Sequence, residues 1–164
     1  MTGYCPQLGE NLEKKQKFWD FLEKQAKYAF DQGAGFILQM DSNAHVGSDI
    51  IRNDPNTKNV NGKLFSDFLE RLPHLTVINS LPKCEGLITR SRQTIKSTEK
   101  SILDVFVTCE KVLPFITKMK IDERKEFALT NFKAVRGVGR AIDSDHNLLI
   151  LNLNLTFENV KLER

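Results

Sequence analysis

Three short apolar runs, each bordered by polar side chains, are the feature of this sequence that most restricts its fold. The runs and their polar neighbours occupy residues 36–45, 101–107 and 144–151, and the polar side chains include Asp41, Asp104 and His146. Each run has the length of a buried strand and is far too short to cross a bilayer. The runs therefore predict buried strands whose ends carry carboxylate, amide and imidazole groups, and polar groups in such places need partners.

Amphipathic segments between these runs predict helices. Apolar residues recur at helical spacing between Asn11 and Gln32, and Gly33 is a suitable stop. A shorter helix is predicted over 62–71, and further strands over 75–78, 118–121 and 148–157, the last with Leu and Asn alternating. Helices interspersed with irregularly spaced strands predict an α/β domain with a mixed sheet covered by helices.

Length and composition restrict the class of protein. The chain has 164 residues, which predicts a single domain over 1–164. Met1 is followed by a polar segment, so no signal peptide is predicted. The three cysteines are widely spaced and form no Cys-x-x-Cys pair, which predicts neither a zinc site nor a disulfide framework and favours a reducing intracellular compartment.

The positive charge of the chain is concentrated in one segment. Residues 83–100 hold five basic and two acidic side chains, which accounts for the whole net charge of +3. Its part from Arg90 to Lys100 is predicted to be a connecting loop or an irregular hairpin. A local basic excess suits a polyanionic partner such as nucleic acid, and a solvated loop is the equally weighted alternative.

Four motifs in a fixed order carry a resemblance to a known family. They are Tyr-x-Pro at residues 4–6, Asp-x-Asn-Ala-His at 41–45, Leu-Asp-Val-Phe at 103–106 and Ser-Asp-His at 144–146. In this order they resemble the endonuclease/exonuclease/phosphatase superfamily, and segments 39–45 and 99–104 are most similar to endonuclease domains of non-LTR retrotransposons. The resemblance implies an α/β (α+β) fold of the exonuclease III and DNase I type, a two-sheet β-sandwich flanked by helices.

The resemblance also implies catalytic roles. Asp41 would orient or deprotonate the attacking water, Asn43 would bind the water or the scissile phosphate, and Tyr4 would contact the phosphate. Asp104 would hydrogen-bond the ring of His146, which would stabilise charge on the phosphate. From the residues alone, a turn-capping Asp41 and a purely structural Asp104–His146 pair are the alternatives.

Further roles follow from the same resemblance. Asp145 would bind or position a divalent metal, magnesium or alternatively manganese. Arg90, Arg92 and Lys96 would contact the DNA backbone without reading its sequence. Supporting positions in this family match His45, Asn79 and Thr89, and a structural role is the better interpretation of His45.

Two departures from the family pattern bear on activity. Met40 stands where the family has glycine before the Asp-x-Asn motif. Nothing before Tyr4 can supply the strands that carry the family's Asn and its main metal-binding Glu. We therefore expect the chain to be the C-terminal portion of the domain. Such a portion should have an exposed sheet edge, poor metal affinity and weak or absent activity in isolation.

Three function hypotheses follow. The first is magnesium-dependent nicking of DNA by a retrotransposon endonuclease, whose parent polyprotein would carry a reverse transcriptase and act in the nucleus. The second is a phosphatase of the same superfamily acting on a small phosphoester, and the third is a non-catalytic remnant that serves as a binding domain. The basic segment favours DNA as the partner, no membrane partner is expected, and oligomeric state and target preference are not predicted.

Overall fold

A computed structural model describes residues 1–126 and 144–155 of the chain. The helices are α1 (Leu12–Asp31) and α2 (Val60–Arg71), and single 3-10 turns cover Ile78–Ser80 and Leu113–Phe115. The strands are β1 (Thr2–Tyr4), β2 (Ile37–Asp41), β3 (Leu75–Val77), β4 (Cys84–Glu85), β5 (Arg90–Gln93), β6 (Thr98–Ser101), β7 (Asp104–Cys109), β8 (Ile116–Ile121) and β9 (Leu149–Leu153).

The first sheet holds four strands in the order β1-β2-β7-β3. β1 is parallel to β2, whereas β7 runs antiparallel to both β2 and β3. Register pairs Leu38 with Val107 and Met40 with Val105, and all four side chains belong to one buried cluster. Because successive side chains of a strand point to opposite faces, Asp41 and Asp104 project from the other face.

Both helices cover the face of the first sheet that carries this cluster. Trp19 of α1 is fully buried, and its ring lies 5.4 Å from Phe65 and 5.5 Å from Phe68 of α2. Asn11 caps α1 by accepting from the Lys14 N–H, and Asn59 caps α2 by accepting from the Gly62 N–H. Neither described helix combines the length and apolarity that a membrane span requires.

A second sheet lies against the opposite face of the first. Its order is β4-β8-β9, with β4 parallel and β9 antiparallel to β8. Met119 and Ile121 of β8 pack in a second buried cluster with Phe106 of β7 and Ile78. The result is a two-sheet sandwich with helices on an outer face, which confirms the predicted fold class.

The basic segment forms a separate two-stranded antiparallel hairpin. β5 pairs with β6 from Arg90 opposite Ser101 to Gln93 opposite Thr98. The turn is closed by Thr94, whose N–H and hydroxyl both donate to the Ser97 carbonyl. The hairpin alternative for this segment is therefore confirmed.

Some boundaries differ from the sequence-based predictions. The helix predicted over 62–71 begins two residues earlier, at Val60, and residues 87–89 form no strand. The N–H groups of Leu87 and Ile88 instead donate to the Glu123 carboxylate, which replaces a neighbouring strand. In the last predicted strand, where Leu and Asn alternate, Leu153 and Leu155 are 37% and 47% exposed. β9 ends at Leu153 and is an edge strand among the described residues.

Candidate active site

A cleft of about 380 Å³ opens where the ends of β1, β2 and β7 meet the base of the hairpin. Its lining includes Tyr4, Asp41, Asn43, His45, Arg90, Arg92 and His146. These side chains come from four segments that are far apart in the sequence. The sheet brings the segments together because β1, β2 and β7 are neighbours and because residues 145–147 run along the start of β5.

Two carboxylates meet at one end of the first sheet. Asp41 is the last residue of β2 and Asp104 is the first of β7, and the strand register pairs them directly. Burial raises the pKa of Asp41, the Asn43 N–H that donates to its Oδ1 at 2.9 Å partly opposes this effect, and the charge of Asp104 adds to the rise. Asp41 is thus a half-buried carboxylate with raised proton affinity.

Asp104 also binds the ring of His146. The Nδ1–H of His146 donates to Asp104 Oδ2 at 2.8 Å. This hydrogen bond raises the pKa of His146 by more than burial lowers it, and the nearby charges of Asp104, Asp41 and Asp145 add to the rise. The bond orients the imidazole and favours its cationic form at the wall of the cleft.

Asn43 occupies a tight turn just after β2. Its φ of 44° lies in the left-handed region, which asparagine tolerates better than most residues. Its side-chain Nδ2 donates to the Cys5 carbonyl at 2.7 Å. The Asn43 amide therefore connects the turn with the segment that follows Tyr4. In that segment, Gln7 Nε2 donates to the Tyr4 hydroxyl at 3.2 Å.

Thr89 and Asn79 surround the backbone of Asp104. The buried Thr89 hydroxyl accepts from the N–H groups of Leu103 and Asp104, at 2.8 and 3.0 Å. Asn79 donates to the Asp104 carbonyl and accepts from the Phe106 N–H. Both side chains therefore fix the start of β7. The His45 carbonyl accepts from the Asn59 N–H, so this residue connects the Asp41 loop with α2.

Asp145, predicted to bind or position a metal, forms an ion pair with Arg90. Its Oδ2 accepts from both Nε and Nη2 of Arg90 at 2.8 Å, while its Oδ1 lies 3.9 Å from His146 Nε2. Burial raises the pKa of Asp145, but the Arg90 hydrogen bond and charge lower it further, so the carboxyl is more acidic than usual. The backbone explains the contact, because the Ser91 N–H donates to the Asp145 carbonyl and holds the two segments side by side.

Three other residues form a group whose spacing would suit a metal ion. Asp41, Asp104 and His146 each offer one ligand atom, and these atoms lie within 4.8 Å of one another. Oxygen ligands are those that hard divalent cations prefer. The two carboxylates fit such an ion, because Asp41 is half-buried and only its Oδ1 is bonded to a described backbone N–H.

The basic residues predicted to contact DNA are divided between two places. Arg90 and Arg92 line the cleft, with the Arg90 guanidinium held by Asp145. Lys96 lies in the hairpin turn beside Ile95, which is fully exposed, and does not line the cleft. The hairpin therefore extends a basic surface away from the cleft and its acidic residues.

Sequence reasoning missed three polar residues that hold the segment after β1. Gln7 contacts Tyr4, the buried Lys15 donates to the Leu8 carbonyl at 2.7 Å, and Asn61 donates to the Pro6 carbonyl at 2.9 Å. Lys15 lies in a helix rich in charged residues, and Asn61 lies in an Asn-rich stretch. In both places the sequence pattern does not indicate that a polar side chain is buried. Only the position of Lys15 on the apolar side of α1, four residues before Trp19, could have indicated it.

Comparison with solved structures identifies the architecture. The endonuclease domain of TRAS1, a telomere-specific non-LTR retrotransposon, superposes with a TM-score of 0.56 at 20% identity over 84% of this chain. The 3′ phosphatase NExo from Neisseria, bound to a product DNA hairpin, gives a TM-score of 0.65 at 15% identity over 94% of this chain. The chain shares its fold with these nuclease and phosphatase structures. This is the fold that the motifs predict.

A second NExo structure, described as a 3′-5′ exonuclease from Neisseria meningitidis, gives a TM-score of 0.64 at 14% identity over 94% of this chain. This chain spans 52% of the TRAS1 domain and 60% of each NExo chain. No protein-family model matches the sequence, and no curated protein matches it significantly. The fold of the chain is thus established by its similarity to solved structures.

Proposed function

We propose that this chain contributes to divalent-metal-dependent hydrolysis of phosphodiester bonds in DNA. The observation that carries the proposal is the Asp104–His146 hydrogen bond of 2.8 Å beside the half-buried Asp41, at the wall of a cleft that also contains two arginines. This combination places a proton acceptor, a cation and hydrogen-bond donors around a space suited to a phosphate.

Asp41 is the residue we assign to the attacking water. Its pKa is raised by burial, which makes the carboxylate a stronger proton acceptor than an exposed aspartate. One oxygen accepts from the Asn43 N–H, which fixes the carboxylate plane. The other oxygen is then directed by the turn, and a water held there would be oriented for in-line attack.

His146 and Asn43 are assigned to the phosphate. The imidazolium form of His146, favoured by Asp104, would stabilise negative charge on the phosphate oxygens. Arg90 adds a second cation at the same wall, and its contact with Asp145 holds the guanidinium in place. Tyr4 and Asn43, which also line the cleft, would supply neutral hydrogen bonds.

Asp41 and Asp104 are the residues that would hold the divalent cation, magnesium or alternatively manganese. The ion, when bound, supplies charge neutralisation at the phosphate and the leaving oxygen. Asp145, which the motif pattern assigns to the metal, has its Oδ2 bonded to Arg90, so its Oδ1 would be the oxygen open to the ion. Two carboxylates form a sparse site for a hard cation, so we expect metal affinity to be weak.

DNA is favoured over a small phosphoester as the substrate. The basic hairpin extends beyond the cleft, which suits a long polyanion better than a compact ligand. The similarity to the TRAS1 domain also supports an origin in a non-LTR retrotransposon, with a reverse transcriptase in the parent polyprotein. Removal of a terminal 3′ phosphate is the second candidate reaction, because NExo is described as a 3′ phosphatase.

Nicking of supercoiled plasmid DNA tests the proposal. The chain should convert the plasmid to the open-circular form slowly, in proportion to added Mg²⁺, and His146→Ala should lose this activity. His74→Ala is the matched control, because His74 is an exposed histidine outside the cleft and should leave the rate unchanged.

A second substrate separates the remaining hypotheses. An oligonucleotide duplex with a 3′-phosphate at a gap would be dephosphorylated by a 3′ phosphatase without any nick in the plasmid. A chain that binds duplex DNA but cleaves neither substrate would support the non-catalytic binding domain. Failure to bind DNA at low salt would refute the proposal as a whole.

A further inference from the structure

Asn61 is a buried polar residue that lies behind the cleft and outside its lining. It is fully buried in the first turn of α2. Its Nδ2 donates to the Pro6 carbonyl at 2.9 Å and to the Asn43 carbonyl at 3.1 Å. One amide group therefore joins the segment that follows Tyr4 to the turn that carries Asn43.

The orientation of this amide is fixed by its partners. Both are carbonyl oxygens, so a flipped Asn61 would place its own oxygen against two acceptors. The Oδ1 atom is buried and has no hydrogen-bond partner among the described residues. A buried oxygen without a partner costs folding free energy. The two hydrogen bonds that the Asn61 amide donates are therefore what favours asparagine at this position.

Asn43 makes a parallel connection between the same two segments. Its Nδ2 donates to the Cys5 carbonyl, while Asn61 donates to the next carbonyl along the chain, that of Pro6. Asn43 itself has a φ of 44°, a conformation that depends on support from its surroundings. By binding the Asn43 carbonyl, Asn61 fixes the peptide plane next to this conformation.

The backbone around Asn61 leaves it little freedom. A Cβ built on Gly62 would lie 2.0 Å from the His45 carbonyl oxygen, so α2 and the Asp41 loop are in direct backbone contact. The Asn59 N–H donates to the same His45 carbonyl at 3.2 Å. These backbone contacts do not involve the side chains of Asn59 or Asn61, so they are kept when either residue is replaced by alanine.

We propose that Asn61 is a positioning residue, which holds the Tyr4 and Asn43 segments together so that both side chains face one phosphate. The role rests on the proposed function, since Asn61 acts only through residues assigned to the phosphate. Its loss should lower kcat roughly tenfold to a hundredfold, the effect expected of a displacement of about 1 Å in a catalytic group. KM should change less, because the basic residues of the hairpin are untouched.

The test compares Asn61→Ala with Asn59→Ala. Asn59 caps the same helix turn through its side chain, so its variant also weakens α2 but leaves the bonds to Pro6 and Asn43 intact. We expect the Asn43 side-chain amide resonances, in ¹⁵N spectra without DNA or metal, to move in Asn61→Ala and to stay in place in Asn59→Ala. Unmoved Asn43 resonances in Asn61→Ala, or equal movement in both variants, would overturn the role.

A wild-type measurement covers the case in which Asn61→Ala does not fold. Titration with a short DNA duplex in EDTA should shift the Asn61 side-chain amide resonances together with those of Asn43, although Asn61 is fully buried. Shifts at Asn43 without any at Asn61 would refute the coupling. If the wild-type chain does not bind the duplex, the proposed function fails, and the role of Asn61, which rests on it, fails with it.

Discussion

At the scale of single residues, the site places two carboxylates next to each other in a partly buried position. Asp41 and Asp104 are paired across two strands, and the cation of His146 compensates for them only in part. An arrangement of this kind costs folding free energy and is expected where the charges have a use. The stability of variants therefore separates a chemical role of Asp41 from a structural one.

Asp41→Asn should raise the stability of the fold at neutral pH while abolishing nicking. Its pKa is raised in the folded state, so the ionised carboxylate is disfavoured there, and the cost appears as pH rises through the carboxyl range. We expect a gain on the order of 1 kcal/mol in the free energy of unfolding at pH 7, measured by urea denaturation. The gain should vanish at acid pH, where Asp41 is protonated. A turn-capping role would instead make the variant less stable at every pH.

Asp104→Asn should lower the pKa of His146. The Asp104 hydrogen bond is the largest cause of the raised pKa, and its stabilising contribution is present below the ordinary histidine pKa and lost as pH rises through the folded value. Titration of the ring protons by NMR should show the midpoint of His146 moving down in the variant. His74, which is exposed, supplies the internal reference. An unchanged His146 midpoint would contradict the assigned pair.

At the scale of elements, the start of β7 depends on a side chain from another part of the chain. Thr89 accepts two N–H groups at this start, and its carbonyl accepts from the Asn147 N–H at 2.6 Å. One residue therefore connects the strand that carries Asp104 with the segment that carries His146. The Asp104–His146 distance is thus set by backbone bonds as well as by the ring contact.

Thr89→Val should destabilise the fold by about 1–3 kcal/mol, because two buried N–H groups lose their acceptor while the side-chain shape is kept. Chemical denaturation measures the change. Thr117→Val is the matched control, since that hydroxyl is on the exposed side of β8 and its single bond should contribute within about 0.5 kcal/mol. Equal losses in both variants would show that Thr89 has no special part in the site.

The elements also show how far the sequence could be read. Helical spacing and strand-length runs predicted α1, β2, α2 and β7 because each buries one periodic apolar face. The order of the motifs predicted that Asp41, Asp104 and His146 lie close together. A family resemblance carries this spatial information, whereas periodicity does not. The bond between Asp145 and Arg90 could not be predicted, because it depends on how residues 145–147 lie along β5. Asn61 was missed because burial of a polar residue in an Asn-rich stretch depends on tertiary packing.

At the scale of the whole molecule, charge is separated between the cleft and the hairpin. The acidic group lies at the end of the first sheet, while Arg92 and Lys96 extend along the hairpin beside it. A DNA strand would meet the basic surface before its phosphate reached the carboxylates. Affinity and cleavage should therefore respond to different substitutions.

Arg92→Ala and Lys96→Ala should each weaken DNA binding uniformly across sequences and reduce the slope of log affinity against log salt by roughly 1. Fluorescence anisotropy of a labelled duplex at several salt concentrations measures the slope. Lys24→Ala removes an equal charge from the exposed face of α1 and should leave the slope unchanged. A reduction of the same size in Lys24→Ala would mean that binding follows net charge and not the hairpin.

The pairing of Asp41 with Asp104 has a consequence for how such a site can persist while the rest of a sequence diverges. The same strand register that places Leu38 opposite Val107 and Met40 opposite Val105 also places the two carboxylates side by side. A slip of the register by one residue would move these apolar side chains to the other face of the sheet, and the loss of their burial makes the slip unfavourable. A requirement for a stable interior thus also fixes the spacing of the two carboxylates.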